Sequence, residues 1–399
     1  MKLLVVASSL DLTQPFGCTP LWWQLLKGLY QIGVEVIAAP YQGPMIESLW
    51  WRAAPNPCQA EGDLFKWMRS LTRRLNRADR SPVKEETPSD RVVRALVHAY
   101  IRPRWERHLA NLLERERDVG AVLFLTVPMN QLTSLPTRLK RRFGVPMIYY
   151  DGDVPASLPS FGGFASGFKM YQSADLSEYD LILSNSKGGC DELRAMGARD
   201  VQVLYWGADP EVYEPLNVVQ DMDVFFYGQG AEYRHEWIEA MMTQPSRALP
   251  EAHFAVRGGG LDLDLGQAER LPYLSFSKLR EYCCRSKINL NITRRAHASV
   301  YASSTARIFE LAAMGCCVVS NPLAGLEEWF EPGREMIVVH NADEAIETYR
   351  RLVRDESARR EMGRRARERL LAQHTYLHRA RELGNHILAT CESHQSTQL

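Results

Sequence analysis

The sequence predicts an α/β chain built as two successive halves, each around a parallel sheet. Three observations carry that prediction. Short apolar runs alternate with helical patterns, the runs end in small or polar residues, and the alternation starts afresh after residues 209–215. Alternation of this kind favours βαβ units, and strand ends of this composition open onto a site in such sheets.

The first half begins with KLLVVAS (2–8), an apolar run short enough for one buried strand. TPLWWQLLKGLYQIG (19–33) has helical spacing and a glycine at its end, and VEVIAAP (34–40) is the next strand. AVLFLTV (121–127), PMIYYD (146–151) and DLILSNS (180–186) continue the series. In the second half, DVFFYGQG (223–230), HFAVRGGG (253–260), KINLNIT (287–293), CCVVSNP (316–322) and EMIVVHN (335–341) read as strands. Helical patterns fall at 276–286, at 304–314 and through the tail from 342 to 392, where Arg and Glu recur.

Composition sets outer limits. The chain has 399 residues, 45% of them hydrophobic, enough for two ordinary domains. Formal net charge is zero, so global charge points to no nucleic-acid or membrane partner. The first apolar run is too short for a signal peptide and there is no run of 18 apolar residues, so a cytoplasmic protein is expected. Eight cysteines include the adjacent pairs Cys283-Cys284 and Cys316-Cys317 but no CxxC, which argues for reduced structural thiols rather than zinc or disulfides.

Residues 42–118 break the alternation. From Lys66 to Arg107 there are twelve Lys/Arg against five Asp/Glu, and SPVKEETPSD (81–90) has loop composition. A pair of solvated helices inserted in the first half is the plain expectation. With Trp50, Trp51, Trp67 and Trp105 nearby, an acceptor-binding or membrane-surface arm is the alternative.

The densest chemistry lies in SSTARIFELAAMGCCVVS, Ser303 to Ser320. A serine cap leaves the first backbone N–H groups of a helix aimed outward, which makes an anion site. Arg307 in the first turn adds a bidentate cation for phosphate, and Glu310, three residues on, could accept two ribose hydroxyls. A surface ion pair between Arg307 and Glu310 is the ordinary alternative.

The ordered run from KINLNITRR to GLEEWFEPGRE (287–335) resembles the C-terminal half of GT-B glycosyltransferases, most of all the CgeB-like, spore-maturation-protein-like branch of group 1. The matching pieces are LNITR (290–294), S-x-x-R-x-F-E-x-A-A-x-G (304–315) and GLEEWFEPGRE (325–335). Upstream, SNSKGGCDELRAMGARDVQVLYWGADPEVYEP (184–215) resembles the interdomain link. The likeness is good over roughly 145–380, loose over 1–40 and poor over 42–118. It implies two Rossmann-like domains facing a cleft: an acceptor domain over 1–216 carrying the insertion, a nucleotide-sugar domain over 217–375, and a last helix and tail over 376–399 that crosses back to the first domain. It also implies transfer of a sugar from a UDP-, GDP- or TDP-linked donor to an acceptor hydroxyl. No cofactor or metal is implied, because helix starts and basic side chains stabilise the leaving diphosphate.

The resemblance carries roles to single residues. Glu310 would hold the ribose. Ser304, Thr305 and Arg307 would form the phosphate-facing helix start, and Arg294 would be a further diphosphate ligand. Gly228 and Gly230 would let the diphosphate approach, with Arg234 after them and Arg257 before a second glycine turn. Gly17 would serve the same purpose in the first half. One position departs from the pattern. Retaining relatives carry E-x7-E, and the first glutamate is Ala302 here.

In the first half, YYDGDVPASLP (149–159) places Asp151 and Asp153 two residues apart, so in an extended loop both would overhang the cleft. Either could take the acceptor proton, Asp153 in preference; turn capping is the alternative. His235 and His297 are lone histidines, a pattern that seldom marks catalysis. Three other functions stay open on sequence: a catalytically silent binding or assembly protein of the same fold, a nucleotide-sugar epimerase, and a transferase whose polyanionic acceptor lies on the basic arm.

Overall fold

The computed structural model describes residues 1–12, 21–62, 94–161, 170–230 and 234–398. Seven strands form the first sheet: β1 (Lys2–Ser9), β2 (Glu35–Gln42), β3 (Arg52–Ala53), β4 (Val119–Leu125), β5 (Met147–Asp151), β6 (Leu181–Ser184) and β7 (Val201–Val203). They run parallel in the order β3-β2-β1-β4-β5-β6-β7. Burial on both faces explains why the strands read as continuous apolar runs. In β1, Leu3, Val5 and Ala7 feed one core, and Leu4 and Val6 feed the core on the opposite face.

Among the described residues, the helices that accompany this sheet include α1 (Leu21–Gln31), α2 (Arg102–Arg115), α3 (Leu135–Phe143) and α4 (Cys190–Ala195). The solvated pair expected within 42–118 is not what the described part of that stretch forms. β3 extends the sheet edge, and α2 buries Trp105, Leu109 and Leu113 against the sheet. Those residues are spaced i, i+4, i+8, a core-facing stripe obscured by the arginines on the other side of the helix. Residues 66–93 of the basic arm lie outside the described residues, as does the loop at 81–90.

The second sheet holds β8 (Met222–Tyr227), β9 (Phe254–Arg257), β10 (Glu269–Arg270), β11 (Ser286–Asn291), β12 (Val318–Ser320) and β13 (Ile337–Val338). These strands are also parallel, in the order β10-β9-β8-β11-β12-β13. Its helices are α5 (235–248, with a π turn at Glu239–Thr243), α6 (Phe276–Arg285), α7 (Arg295–Ser299), α8 (Ala306–Ala313), α9 (Ala342–Arg354) and α10 (Glu356–Gln373). Among the described residues, no helix is long and apolar enough to cross a membrane.

The last helix, α11 (Tyr376–Gln398), leaves the second unit and packs on α1, where Leu383 and Ile387 join the first core. The chain therefore crosses between the units twice, and the crossings bond to each other. Ala208 N–H donates to His374 O at 3.2 Å, and Tyr376 N–H donates to Ala208 O at 3.2 Å. Gly207 is required here because a β-carbon on it would stand 2.6 Å from His374 O. Gly207→Ala is expected to cost about 1–3 kcal/mol by forcing the crossings apart. Urea unfolding checks this, and an unchanged midpoint would refute the tight crossing.

Candidate active site in the interdomain cleft

Strand order reverses between β1 and β4 in one sheet and between β8 and β11 in the other. Crevices at the carboxyl ends of such strands are where ligands sit in open α/β sheets. The carboxyl ends of the two sheets meet in this structure: Asp153, just past β5, pairs with Arg294, just past β11.

Two more arginines converge beside that pair. Arg234, at the start of α5, donates to Ile292 O at 2.8 Å and to Gln229 O at 2.5 Å. Arg307, in the first turn of α8, donates to the same Ile292 O at 3.0 Å. Its guanidinium lies 5.1 and 5.2 Å from the ring centroids of Phe226 and Tyr227. Gly228 permits this approach, since a β-carbon there would be 2.4 Å from Arg307 Nη2. Burial, then the charges of Arg307 and Arg294, lower the proton affinity of Arg234 well below its ordinary value. Mutual repulsion among half-buried cations is a feature of sites that take an anion.

Asp153 keeps about a quarter of its side-chain surface exposed (25%) while pairing with Arg294. Burial raises its carboxyl above the ordinary value, and Arg294 and Arg234 oppose that rise. His297 is buried behind it, with Nε2 3.7 Å from Asp153 Oδ1. Burial, then Arg294 and Arg234, hold the imidazole well below its usual pKa, so the ring is neutral at pH 7.

Asp151 does not overhang the cleft. It is wholly buried and accepts from Ser157 and Tyr171 hydroxyls, each at 2.5 Å, and from Asp153 N–H at 2.9 Å. That last bond makes the turn that sends Asp153 outward, so Asp151 caps a loop. Gly152 between them is wedged against aromatic rings, where a β-carbon would be 2.3 Å from Trp206 Cζ2 and 3.2 Å from Trp22 Cη2.

Ser304 is likewise displaced from its expected part. Its hydroxyl donates to Asn185 O at 2.9 Å and accepts from Trp206 N–H at 3.0 Å, which ties the two units together. Thr305 is the residue just before α8, and its side chain makes no capping bond. Gly230 serves loop packing, since a β-carbon there would be 2.4 Å from Gly260 O. Arg257 lies 5.0 Å from the Tyr273 ring centroid. Gly17 lies outside the described residues.

Glu310 is buried one turn after Arg307, and both its oxygens are engaged: Tyr213 and Tyr227 hydroxyls each donate at 2.8 Å. Burial raises its carboxyl, and the two tyrosines moderate the rise. Sequence reasoning missed both tyrosines, although Tyr227 ends β8 beside Gly228. It also gave His297 little weight, because the contact with Asp153 comes from the other unit.

Ala302 occupies the position of the absent glutamate. It is fully buried, has a φ of +48°, and donates its N–H to Ala324 O at 2.8 Å. A β-carbon on Gly325 would be 2.9 Å from Ala302 Cβ, so the position is packed tightly. Its neighbours bond across the units: Lys187 N–H to Ala302 O at 3.1 Å, and Gly188 N–H to Tyr301 O at 2.9 Å.

Residues 234–385 match the family model described as glycosyl transferase-like. No curated protein matches the chain. Among solved structures it is similar to sucrose-phosphate synthase from Thermosynechococcus elongatus, with a TM-score of 0.64 and 13% identity over 96% of this chain and 98% of that one. It is also similar to HepE from Anabaena in complex with UDP-glucose, with a TM-score of 0.58 and 11% identity over 98% and 100%. The E. coli trehalose-6-phosphate structure bound with UDP-2-fluoro glucose gives a TM-score of 0.61 and 11% identity over 96% and 98%.

Two expected outcomes follow from the buried polar positions. Burial pushes the Asp151 carboxyl up from 3.8 to about 6, against donors that favour its charge. The folded protein therefore holds this proton more tightly than the unfolded chain does. The stability Asp151 contributes is complete below its unfolded pKa and is lost as pH rises through the folded one. Asp151→Asn removes that loss, so the stability of wild type relative to the variant falls between about pH 4 and about pH 7. Urea titrations across that range check it; a pH-independent difference would count against a raised Asp151. Ala302→Glu is expected to bury an unpaired carboxylate and to cost about 2–4 kcal/mol, read as a lowered melting temperature. A folded, fully stable variant would show room there for the missing acid.

The chain has the GT-B fold, and its second half carries the match to the glycosyl transferase-like family.

Proposed function

We propose that the protein transfers a glycosyl group from a nucleotide diphosphate sugar to an acceptor hydroxyl, without a metal ion. The observation that carries this reading is the convergence of Arg234, Arg294 and Arg307 at the reversal point of the second sheet. A diphosphate bridging these side chains would relieve their repulsion, and charge-assisted bonds to phosphate are among the strong ones. The same cations would stabilise the leaving diphosphate as its charge develops, the task a divalent cation performs elsewhere. Solved structures of similar fold include one in complex with UDP-glucose, which makes UDP-sugars the first donors to try.

In the reaction, the acceptor oxygen forms a bond to the anomeric carbon. The bond from that carbon to the diphosphate oxygen breaks, and its electron pair leaves with the diphosphate. Asp153 takes the acceptor proton. Glu310 would meet the ribose by sharing its oxygens with, or taking over from, the hydroxyls of Tyr213 and Tyr227. The CgeB-like branch is part of this proposal, supported by the ordered run 287–335. Ala302 favours one second reading, a protein that binds the donor and does not transfer it. Conversion of a UDP-sugar to free UDP in the presence of acceptor extracts separates the two.

The proposal is tested by thermal shift with UDP, GDP, TDP, CDP and ADP in the presence of EDTA. A ligand that binds the folded state alone raises its melting temperature. One responder is expected. Arg234→Ala and Arg307→Ala should each weaken its binding by roughly 10- to 100-fold, the worth of one charged hydrogen-bonded contact. No responder at millimolar concentration overturns the donor site.

A further inference from the structure

Asp153 pairs with an arginine that the proposed reaction needs for phosphate. Arg294 and His297 belong to the second unit, at the start of α7 and within it, while Asp153 belongs to the first unit. Both reach the same oxygen, Asp153 Oδ1. One carboxylate thus takes an arginine and a histidine across the cleft, and it carries the kind of charge that the donor's phosphates would bring.

We propose that Asp153 is a displaceable internal counter-ion of the donor-phosphate site: a nucleotide diphosphate draws Arg294 away from it and leaves the carboxylate with His297, in the form that takes the acceptor proton. This rests on the transferase reading above.

Three features support the exchange. First, Arg294 is the member of the trio that joins the two units. Arg234 and Arg307 are both anchored on Ile292 O within the second unit, whereas Arg294 reaches across to Asp153. A planar guanidinium accepts a phosphate in the same bidentate fashion as a carboxylate, so the two anions compete for it directly. Second, the loop holding Asp153 keeps its own anchor when Arg294 leaves. Asp151 fixes the turn through Asp153 N–H, and Trp206 Nε1 donates to Gly152 O at 3.1 Å. Third, His297 is placed to remain. It is 2% exposed, and its Nδ1 has no hydrogen-bond partner among the described residues. A proton on Nε2 suits the carboxylate it faces. Asp153 would therefore keep one neutral donor after losing a cationic one, and a carboxylate released from an arginine is a stronger base.

The consequence is ordering. The carboxylate would stay masked by Arg294 until a diphosphate is present, which couples base strength to donor binding. Coupling is reciprocal, so what strengthens the Asp153–Arg294 pair must weaken the diphosphate by the same factor.

The test uses inorganic pyrophosphate and UDP as probes, titrated calorimetrically into the full chain. Asp153→Asn keeps the shape and removes the competing charge. It is expected to bind both probes more tightly, on the order of tenfold, the opposite of what loss of a binding residue gives. In a parallel measurement on wild type, saturating pyrophosphate should slow hydrogen exchange across 292–299 without slowing it across 152–158. Unchanged or weaker binding in a folded Asp153→Asn variant overturns the proposal, as does slower exchange at 152–158. Should the variant fail to fold, the exchange experiment on wild type decides. If wild type binds neither probe, the donor-site reading fails first and this proposal with it; if it binds them but Asp153→Asn does not tighten, only the exchange of Arg294 is lost.

Discussion

The pairing of the two chain crossings governs where everything in the cleft stands. Trp206 sits in the first crossing and is the residue through which the pairing reaches the site. Its carbonyl accepts from Arg379 Nε at 3.0 Å, its indole N–H donates to Gly152 O at 3.1 Å, and its backbone N–H donates to Ser304 Oγ at 3.0 Å. One residue therefore ties α11, the Asp153 loop and the start of α8 to a common frame. Its ring packs with Trp22 and Tyr150 at centroid distances of 5.3 and 5.5 Å, which limits how far the frame can shear. Residues that do chemistry need positions held to a fraction of an ångström, and loops by themselves do not supply that.

Holding three arginines together opposes the ordinary behaviour of charges. Each loses hydration on burial, and each repels the others. The structure offsets this with a shared carbonyl, aromatic faces and the carboxylate of Asp153. Such compensation is partial by construction. Every neutralising group that satisfies the arginines fully would also raise the barrier to taking a phosphate. Asp153 and the Ile292 carbonyl are the kind of partner that an anion with two charged centres can outcompete. Glu310 shows the same logic on the neutral side: two phenol hydroxyls hold its carboxylate without adding a cation.

The fold was legible in the sequence because its strands are buried on both faces and so read as unbroken apolar runs. α2 was not legible for the converse reason. Its stripe of Trp105, Leu109 and Leu113 is three residues within a helix whose remaining surface is mostly charged. The convergence of Arg234, Arg294 and Arg307 could be anticipated because each follows a strand or opens a helix, where position implies the cleft. Asp151, Ser304 and Gly230 were assigned to the ligand by that same positional logic, but they bond to protein. Their partners are Ser157 and Tyr171, Asn185 and Trp206, and the 258–260 loop, none of which local spacing can announce. Tyr213 and Tyr227 were missed, and His297 was given little weight; each takes its meaning from a contact distant in sequence.

Ala302 is fully buried against Gly325, and its carbonyl accepts from Lys187 N–H of the other unit, so the position is enclosed by protein on the sides that these contacts define. The acid in reach of the arginines from the facing unit is Asp153, and in the proposed reaction its strength as a base would depend on how firmly Arg294 holds it. The electrostatics of the proposed donor site and the chemistry at the acceptor would then be coupled through this one ion pair.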